Sequence, residues 1–231
     1  MAKYKYLLFD TDRTLLDFTK AQRAAIEKAL TKYGFKVDDE VQDFYTSWNE
    51  SLWRRLEKRE ITHDDLVKMR FVVMCSRYGV VYPGYGKIES DYIIALSEGH
   101  DLLPGALETI QALKEEYRLY IVTNGIPMVQ ERRLKESGLI EYVEDAFISE
   151  AIGFNKPDIR YFEEVYKRLG EPPKEEILII GDSMSADIKG GVDFGVDTML
   201  ISEHAPEGFD FSPTYVVDNI SKVEEYLKKL E

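Results

Sequence analysis

In the second half of the chain, short hydrophobic runs alternate with amphipathic helical patterns, and this alternation constrains the fold more than any other feature of the sequence. Runs of four hydrophobic residues at 119–122 and 177–180 predict buried strands. Weaker strand patterns lie at 146–148, 198–201 and 215–217. Strands that alternate with helices in this way are typical of an α/β fold with a doubly wound parallel sheet.

A helical segment interrupts this pattern after the first strand, which is predicted at Leu7–Phe9. Between residues 19 and 99, hydrophobic residues recur at helical spacing and no strand pattern is present. We therefore predict two domains: an α/β core formed by residues 1–17 and 100–231, and an inserted all-helical domain formed by residues 18–99. The two connections between these domains are predicted hinges.

The composition limits the classes of partner. The chain carries 30 basic and 43 acidic side chains, and this formal net charge of −13 argues against binding to a nucleic-acid polymer or an anionic membrane. The single cysteine, Cys75, lies in a hydrophobic run and predicts a buried thiol in a reducing compartment. No hydrophobic run approaches the ~20 residues of a membrane span, and the run before Asp10 is too short for a secretion signal. We expect a cytoplasmic protein that acts on small molecules, with no sign of its oligomeric state.

Polar residues follow the predicted strands, and the carboxyl ends of parallel strands lie along one edge of a sheet, so we expect these side chains to meet. They are Asp10, Asp12, Thr123, Asn124, Lys156, Asp182 and Asp187. Acids gathered at a strand end repel each other, and a divalent cation such as Mg²⁺ compensates them because it prefers hard oxygen ligands. Carboxylates, a hydroxyl, an amine and Mg²⁺ together are suited to phosphoryl transfer.

Taken singly, these motifs have simpler interpretations. Asp10 and Asp12 fit an Asx-rich turn after a strand, Lys156 fits a solvated loop lysine, and Asp187 fits an acid that complements a helix N-terminus. Together and in this order, the four motifs resemble motifs I to IV of the haloacid dehalogenase superfamily, and the resemblance covers essentially the whole chain. The resemblance implies a Rossmann-like core with a type 1 helical cap inserted after motif I.

The resemblance also implies a role for each core residue. Asp10 is implied as the nucleophile that forms an aspartyl-phosphate, and Asp12 as the general acid and base. Thr123 and the backbone amide of Asn124 are implied to bind phosphate. Lys156 is implied to bind phosphate and to steady the charge of Asp10.

The implied cofactor is Mg²⁺, held by Asp10, the Asp12 carbonyl, Asp182 and Asp187, with Asp187 either a direct ligand or an outer group. Because Asp12 can protonate an ester leaving group, the chain resembles the phosphatases and phosphomutases of the superfamily rather than its dehalogenases. Arg13 is a departure, since many members have Gly at this position. It either reaches the cap or a second anionic group of the substrate, or it is a surface residue.

Further stretches resemble a bacterial branch of pyrimidine 5′-nucleotidases, which implies hydrolysis of nucleoside monophosphates. These stretches are Asp17-Phe18, Trp48–Arg54, Gly99-His100 and Ile121–Gly125. Asn49 and Trp53 share one face of a predicted helix at a spacing of four residues, so they are candidates for hydrogen bonding to a base and stacking on it. The alternative is that Trp48 and Trp53 both pack the cap helices together.

Other functions fit the same motifs. A sugar-phosphate or phosphoglycolate phosphatase shares the core and the cap type, and a phosphomutase is a third possibility. A phospho-acceptor signalling domain of the receiver kind gathers similar residues around Mg²⁺, but it has about half this length and lacks a helical insert. A non-catalytic binding protein is a further alternative, although every motif acid is present.

Overall fold

The computed structural model describes residues 3–204 and 208–230. The chain forms two compact units, one that extends to Phe18 and resumes at His100, and one that spans Thr19–Gly99. The first is called the α/β unit below and the second the helical unit. All strands of the described residues belong to the α/β unit.

The strands are β1 (Tyr6–Phe9), β2 (Arg118–Thr123), β3 (Asp145–Ile148), β4 (Ile177–Gly181), β5 (Asp197–Ile201) and β6 (Tyr215–Val217). The first five α-helices are α1 (Phe18–Thr31), α2 (Asp39–Glu57), α3 (His63–Tyr78), α4 (Lys87–Ser97) and α5 (Ala106–Leu113). The others are α6 (Pro127–Glu136), α7 (Ser149–Ile152), α8 (Ile159–Arg168), α9 (Lys189–Phe194) and α10 (Val223–Lys228). Short 3₁₀ turns lie at Leu139–Glu141, Lys174–Glu176 and Ile220–Lys222, and a π-helical turn lies at Met184–Ile188.

The six described strands form one parallel sheet in the order β3-β2-β1-β4-β5-β6. Strand β1 is central, and its Leu8 pairs with Tyr120 on one side and Ile179 on the other. A strand paired on both edges and covered on both faces loses contact with water, which is why β1 and β4 are short uninterrupted hydrophobic runs. The predicted α/β fold with a doubly wound parallel sheet is confirmed.

Helices cover both faces of the sheet, because successive side chains of a strand point to opposite faces. Leu7 and Phe9 belong to one hydrophobic cluster, whereas Leu8 belongs to another. On the second face, helix α9 packs closely on α8 through Gly190, where an added Cβ would lie 2.2 Å from the Phe162 ring. A larger residue at this position would push α9 away from its neighbours.

The helical unit has a hydrophobic core of its own, to which α1, α2, α3 and α4 contribute. At its centre Tyr45, Phe71 and Tyr92 pack with ring centroids 5.4–5.9 Å apart. A capping box starts α3, in which the Thr62 hydroxyl accepts a hydrogen bond from the Asp65 amide and the Asp65 carboxylate accepts one from the Thr62 amide. Cys75 is buried, as its hydrophobic surroundings predict.

Three helical segments differ from the sequence-based expectation. The hydrophobic pattern predicts a helix to Tyr117, but α5 ends at Leu113. A helix is predicted from Ala186, but a π-helical turn precedes α9, because the amides of Asp187 and Ile188 both donate to the Ser183 carbonyl. The predicted C-terminal helix begins as a 3₁₀ turn before α10. None of the helices in the described residues is long and apolar enough to cross a membrane.

Candidate active site

Three strand ends bring the predicted core residues to one edge of the sheet. Asp10 follows β1, Thr123 ends β2, and Asp182 follows β4. Strands β1 and β4 are neighbours, and the strand order reverses between them. In a doubly wound sheet this reversal opens a crevice at the carboxyl ends of the strands, where ligands bind.

Lys156 links the acids at this edge. Its Nζ lies 2.7 Å from Asp10 Oδ1, 2.6 Å from Asp187 Oδ1 and 2.7 Å from the Val122 carbonyl oxygen. An ammonium group has three hydrogens, so all of them have a protein acceptor. The side chain is 1% exposed, which rules out the interpretation of Lys156 as a solvated loop lysine.

Asn124 holds the loop that carries this lysine. Its Nδ2 donates to the Lys156 carbonyl at 2.9 Å, and its Oδ1 accepts from the Lys156 amide at 2.8 Å. This two-way pairing joins the end of β2 to a loop more than thirty residues later in the chain. The side chain of Asn124 therefore has a positioning role that the sequence did not reveal, and phosphate binding by its backbone amide stays a prediction.

The acids form a cluster suited to a cation. One carboxylate oxygen each from Asp10, Asp182 and Asp187 lies within 4.8 Å of the others. Burial raises the pKa of Asp10 to about 7, with Lys156 opposing this rise and Asp187 adding to it. Burial and then the charge of Asp10 raise the pKa of Asp182 well above its usual range. The single positive charge of Lys156 does not balance the three carboxylates. A cluster of oxygen ligands with surplus negative charge fits Mg²⁺.

Burial alone lowers the pKa of Lys156, but Asp10 and Asp187 outweigh it and hold this pKa above its usual range. The lysine therefore stays charged while it contacts the predicted nucleophile. The Thr14 hydroxyl lies 3.4 Å from the second oxygen of Asp10, Oδ2. Asp10 is thus oriented from two sides.

Asp187 is fixed by its surroundings. Its Oδ2 accepts a hydrogen bond from the Ser183 amide at 3.1 Å, and its Oδ1 contacts Lys156. A Cβ at Gly181 would lie 2.2 Å from Asp187 Oδ2, so glycine is needed at the end of β4. Whether Asp187 is a direct or an outer metal ligand stays a prediction.

Asp12 is bound by two residues that the sequence analysis missed. Arg133 Nη1 lies 2.5 Å from Asp12 Oδ1, and Gln130 Nε2 lies 2.9 Å from Asp12 Oδ2 and 3.0 Å from Thr123 Oγ1. Both residues are buried on α6, between the hydrophobic positions Val129 and Leu134. Polar residues in the hydrophobic stripe of a helix are the signal that identifies them.

Arg13 adopts a left-handed backbone conformation with φ +64°, which most side chains avoid. This conformation gives a physical reason for glycine at the matching position of other members of the superfamily. The side chain is exposed, and its guanidinium carbon lies 5.4 Å from the centroid of the Phe18 ring. A contact of Arg13 with substrate stays a prediction.

The two tryptophans of α2 differ in their surroundings. Trp48 Nε1 donates to the Met69 carbonyl at 3.3 Å, so Trp48 packs α2 on α3. Trp53 is half-buried, and its nearest ring partner is His63, at 6.4 Å between centroids. The alternative in which the tryptophans pack the helices together is therefore supported for Trp48.

Asn49 belongs to a group of buried polar residues in the helical unit. Asn49 Oδ1, Gln22 Nε2 and Arg70 Nε have no hydrogen-bond partner among the described residues. The Arg70 guanidinium lies over the Tyr92 ring at 5.3 Å, and no carboxylate of the described residues pairs with it. Sequence analysis identified Asn49 but missed Gln22 and Arg70.

Comparisons with known proteins identify the family. The model of the haloacid dehalogenase-like hydrolase family matches residues 4–195, and the chain belongs to this family. It is 38% identical to pyrimidine 5′-nucleotidase PynA of Streptococcus pneumoniae, covering 93% of this chain and 91% of that protein. It is 32% identical to pyrimidine 5′-nucleotidase YjjG of Escherichia coli, covering 98% of this chain and 99% of that protein.

The solved structure of a relative shares the fold. The crystal structure of the HAD-hydrolase YfnB of Bacillus subtilis, bound to magnesium, superposes with a TM-score of 0.91 at 37% identity and covers 97% of this chain and 99% of that chain. The predicted membership of the superfamily is confirmed. The chain is an enzyme of this family, a phosphoric monoester hydrolase.

Proposed function

We propose that this enzyme is a Mg²⁺-dependent phosphatase that acts through a phosphorylated Asp10, and that its substrates are pyrimidine nucleoside 5′-monophosphates. The observation that carries the proposal is the buried contact of Asp10 with Lys156 beside the acids Asp182 and Asp187. The names of the relatives PynA and YjjG support the choice of substrate. The action on small phosphorylated molecules agrees with the acidic net charge of −13.

In the first half-reaction a carboxylate oxygen of Asp10 forms a bond to phosphorus while the bond from phosphorus to the ester oxygen breaks. The Asp12 carboxyl group gives its proton to that oxygen, so the nucleoside leaves as a neutral alcohol. The charged Lys156 keeps Asp10 in the correct orientation throughout. Thr123, at the end of β2, is the proposed hydrogen-bond donor to a phosphate oxygen.

In the second half-reaction a water molecule attacks the phosphorus of the Asp10 acyl phosphate. The Asp12 carboxylate, left without its proton by the first step, takes a proton from this water. The bond between phosphorus and the Asp10 oxygen breaks, which releases inorganic phosphate and restores both side chains. No proton is gained or lost over the full cycle by the two acids.

Asp10, Asp182 and the Asp12 carbonyl are the proposed ligands of Mg²⁺, with Asp187 beside them. When bound, the ion neutralises charge on the transferred phosphoryl group. The oxygen-only donor set of the cluster fits this ion, and the relative YfnB was crystallised with magnesium. The donor set and the magnesium-bound relative both support the proposal that the cofactor is Mg²⁺.

The helical unit is the proposed recognition domain, with Trp53 as a stacking partner of the base. Among the described residues of this unit, Asn49 Oδ1 is an acceptor without a partner, and Gln22 Nε2 and Arg70 Nε are donors without one. Uracil and thymine present two carbonyl oxygens on either side of one N–H group, so a base can accept two hydrogen bonds and donate one. A sugar-phosphate or phosphoglycolate phosphatase stays the alternative, because the α/β unit serves any phosphomonoester.

Phosphate release with Mg²⁺ from a panel of phosphomonoesters tests both levels of the proposal. The panel holds UMP, dUMP, dTMP, AMP, phosphoglycolate and hexose phosphates, and Asp10→Asn is the control. A preference for pyrimidine monophosphates supports the full proposal if the Asp10→Asn variant has no activity. Preference for sugar phosphates retains the phosphatase and contradicts base recognition, and no turnover of any compound contradicts the enzyme mechanism.

A further inference from the structure

Helix α6 holds the Asp12 carboxylate through both of its oxygens. Arg133 donates to Oδ1 at 2.5 Å, and Gln130 donates to Oδ2 at 2.9 Å. The same Gln130 amide nitrogen lies 3.0 Å from Thr123 Oγ1, and the Gln130 amide oxygen accepts a hydrogen bond from Arg133 Nη1 at 3.3 Å. One amide group therefore joins the proposed proton donor to the proposed phosphate-binding hydroxyl.

The local backbone is built to accommodate this arrangement. Gln130 and Arg133 are three residues apart, so they lie on the same face of α6. A Cβ at Gly125 would lie 2.9 Å from Gln130 Cγ, so the glycine that follows the Thr123 motif makes room for the glutamine. Arg133 is fully buried, and a buried arginine is tolerated only with well-placed acceptors such as Asp12.

We propose that Arg133 and Gln130 are positioning residues that fix the Asp12 carboxyl group in register with Thr123, so that it can protonate the leaving oxygen. The proposal rests on the proposed function, in which Asp12 is the proton donor. It goes beyond that function because it makes the rate at which poor leaving groups depart depend on two residues of α6. Neither residue contacts phosphate in this assignment.

The dependence of the rate on the leaving group distinguishes this role from a general structural role. Protonation by a side chain matters most when the leaving oxygen is strongly basic, as in a nucleoside monophosphate. It matters little when the leaving group is a stable anion, as in dinitrophenyl phosphate. A misplaced Asp12 therefore slows the first substrate and spares the second, whereas a damaged phosphate site slows both.

The test compares Arg133→Met and Gln130→Met with the unmodified enzyme on UMP and on dinitrophenyl phosphate. We expect kcat for UMP to fall on the order of 10²-fold, while kcat for dinitrophenyl phosphate changes little. Arg133→Lys keeps a charged donor and should recover part of the loss. Arg132→Met is the matched control, because Arg132 is exposed on the same helix and pairs with Glu136 instead.

Equal losses on both substrates overturn the proposal, because they mean that the two residues support the fold or the phosphate site. Unchanged rates on both substrates overturn it as well. The double variant should lose no more than about the larger single effect, since both residues act through one carboxylate. Failure of the unmodified enzyme to hydrolyse either compound is a separate outcome, which contradicts the proposed function itself. Thermal unfolding of each variant shows whether it is folded, and Gln130→Met tests the proposal if Arg133→Met is not.

Discussion

The buried polar groups of the two units differ in how they are satisfied. In the α/β unit, Lys156, Asp187 and Asn124 bind one another or their neighbours through nearly every polar atom. In the helical unit, Asn49 and Arg70 each keep a buried polar atom without a partner among the described residues. Two atoms of the α/β unit, Thr11 Oγ1 and Arg133 Nη2, depart from this pattern.

This difference agrees with the division of work that we propose, with catalysis in the α/β unit and base recognition in the helical unit. A catalytic group must hold its geometry before substrate arrives, so its polar contacts are made within the protein. A recognition group gains affinity only if it has a hydrogen bond left to form with the ligand. A buried unpaired polar atom costs about 1–3 kcal/mol, and a ligand that pairs with it recovers that cost on binding.

The largest expected effect comes from removing the buried ammonium group of Lys156 in the α/β unit. Lys156→Met leaves Asp10 and Asp187 buried, close together and without their common partner. We expect the variant to lose about 3–5 kcal/mol in the free energy of unfolding at neutral pH, together with its phosphatase activity. Urea unfolding of the metal-free protein measures the first effect.

Lys229→Met is the matched control, because Lys229 forms only an exposed ion pair with Glu225 on α10. Its loss should cost less than about 1 kcal/mol. If Lys156→Met costs no more than this control, the buried acids do not depend on the lysine. The contrast between the two units would then lose its basis.

The second prediction concerns the helical unit. Arg70→Met and Asn49→Leu each remove a buried polar atom that lacks a hydrogen-bond partner among the described residues, and Arg70→Met also removes the contact with the Tyr92 ring. We therefore expect a smaller loss of stability than for Lys156→Met, together with an effect on substrate. The KM for UMP should rise about tenfold to a hundredfold, which is the value of a hydrogen bond to a charged or well-placed group. The kinetics of phosphoglycolate should stay close to those of the unmodified enzyme.

The two tryptophans provide a matched pair for this prediction. Trp53→Leu should reduce the preference for UMP over phosphoglycolate, whereas Trp48→Leu should reduce stability, because Trp48 donates to the Met69 carbonyl. If every variant slows both substrates equally, the helical unit does not recognise the base. If none changes the ratio, recognition resides elsewhere.

Sequence patterns predicted the parts of the fold that hydrophobicity determines. The uninterrupted runs of β1 and β4 and the polar residues after them lead to the doubly wound parallel sheet and to Asp10 and Asp182, but not to the strand order. The contacts of side chains across the chain are not encoded in local patterns. The pairing of Asn124 with Lys156 and the binding of Asp12 by Arg133 depend on the register of β2 and α6, which only the folded chain defines.

A third prediction concerns protons at the cation site. Burial raises the pKa of Asp10 to about 7, so in the metal-free protein this carboxyl group holds a proton over the mildly acidic range. Mg²⁺ must displace that proton, and its affinity should therefore rise with pH and level off above about pH 8. Calorimetry in two buffers with different ionisation enthalpies measures the protons released.

From Asp10 we expect the release of about one proton at pH 6 and almost none at pH 8, and any proton held by Asp182, whose pKa is also raised, adds to this release. An affinity that does not change between these conditions contradicts it, because it means that Lys156 keeps Asp10 ionised on its own. Asp182→Asn is a useful companion variant, since burial and Asp10 also raise the pKa of Asp182. It should weaken binding and reduce proton release together.

The smallest expected effect is at Arg13, whose φ of +64° costs about 1 kcal/mol in a residue with a side chain. Arg13→Gly removes this strain, but it also removes the contact with the Phe18 ring and increases the freedom of the unfolded chain. These contributions offset one another, so we expect a change below about 1 kcal/mol, with Arg13→Ala less stable than Arg13→Gly because it keeps the strain. The ratio of UMP to phosphoglycolate turnover should stay unchanged in both variants. A lower ratio in both would mean that an α/β residue also recognises the nucleotide, and the division of work between the two units would then be incomplete.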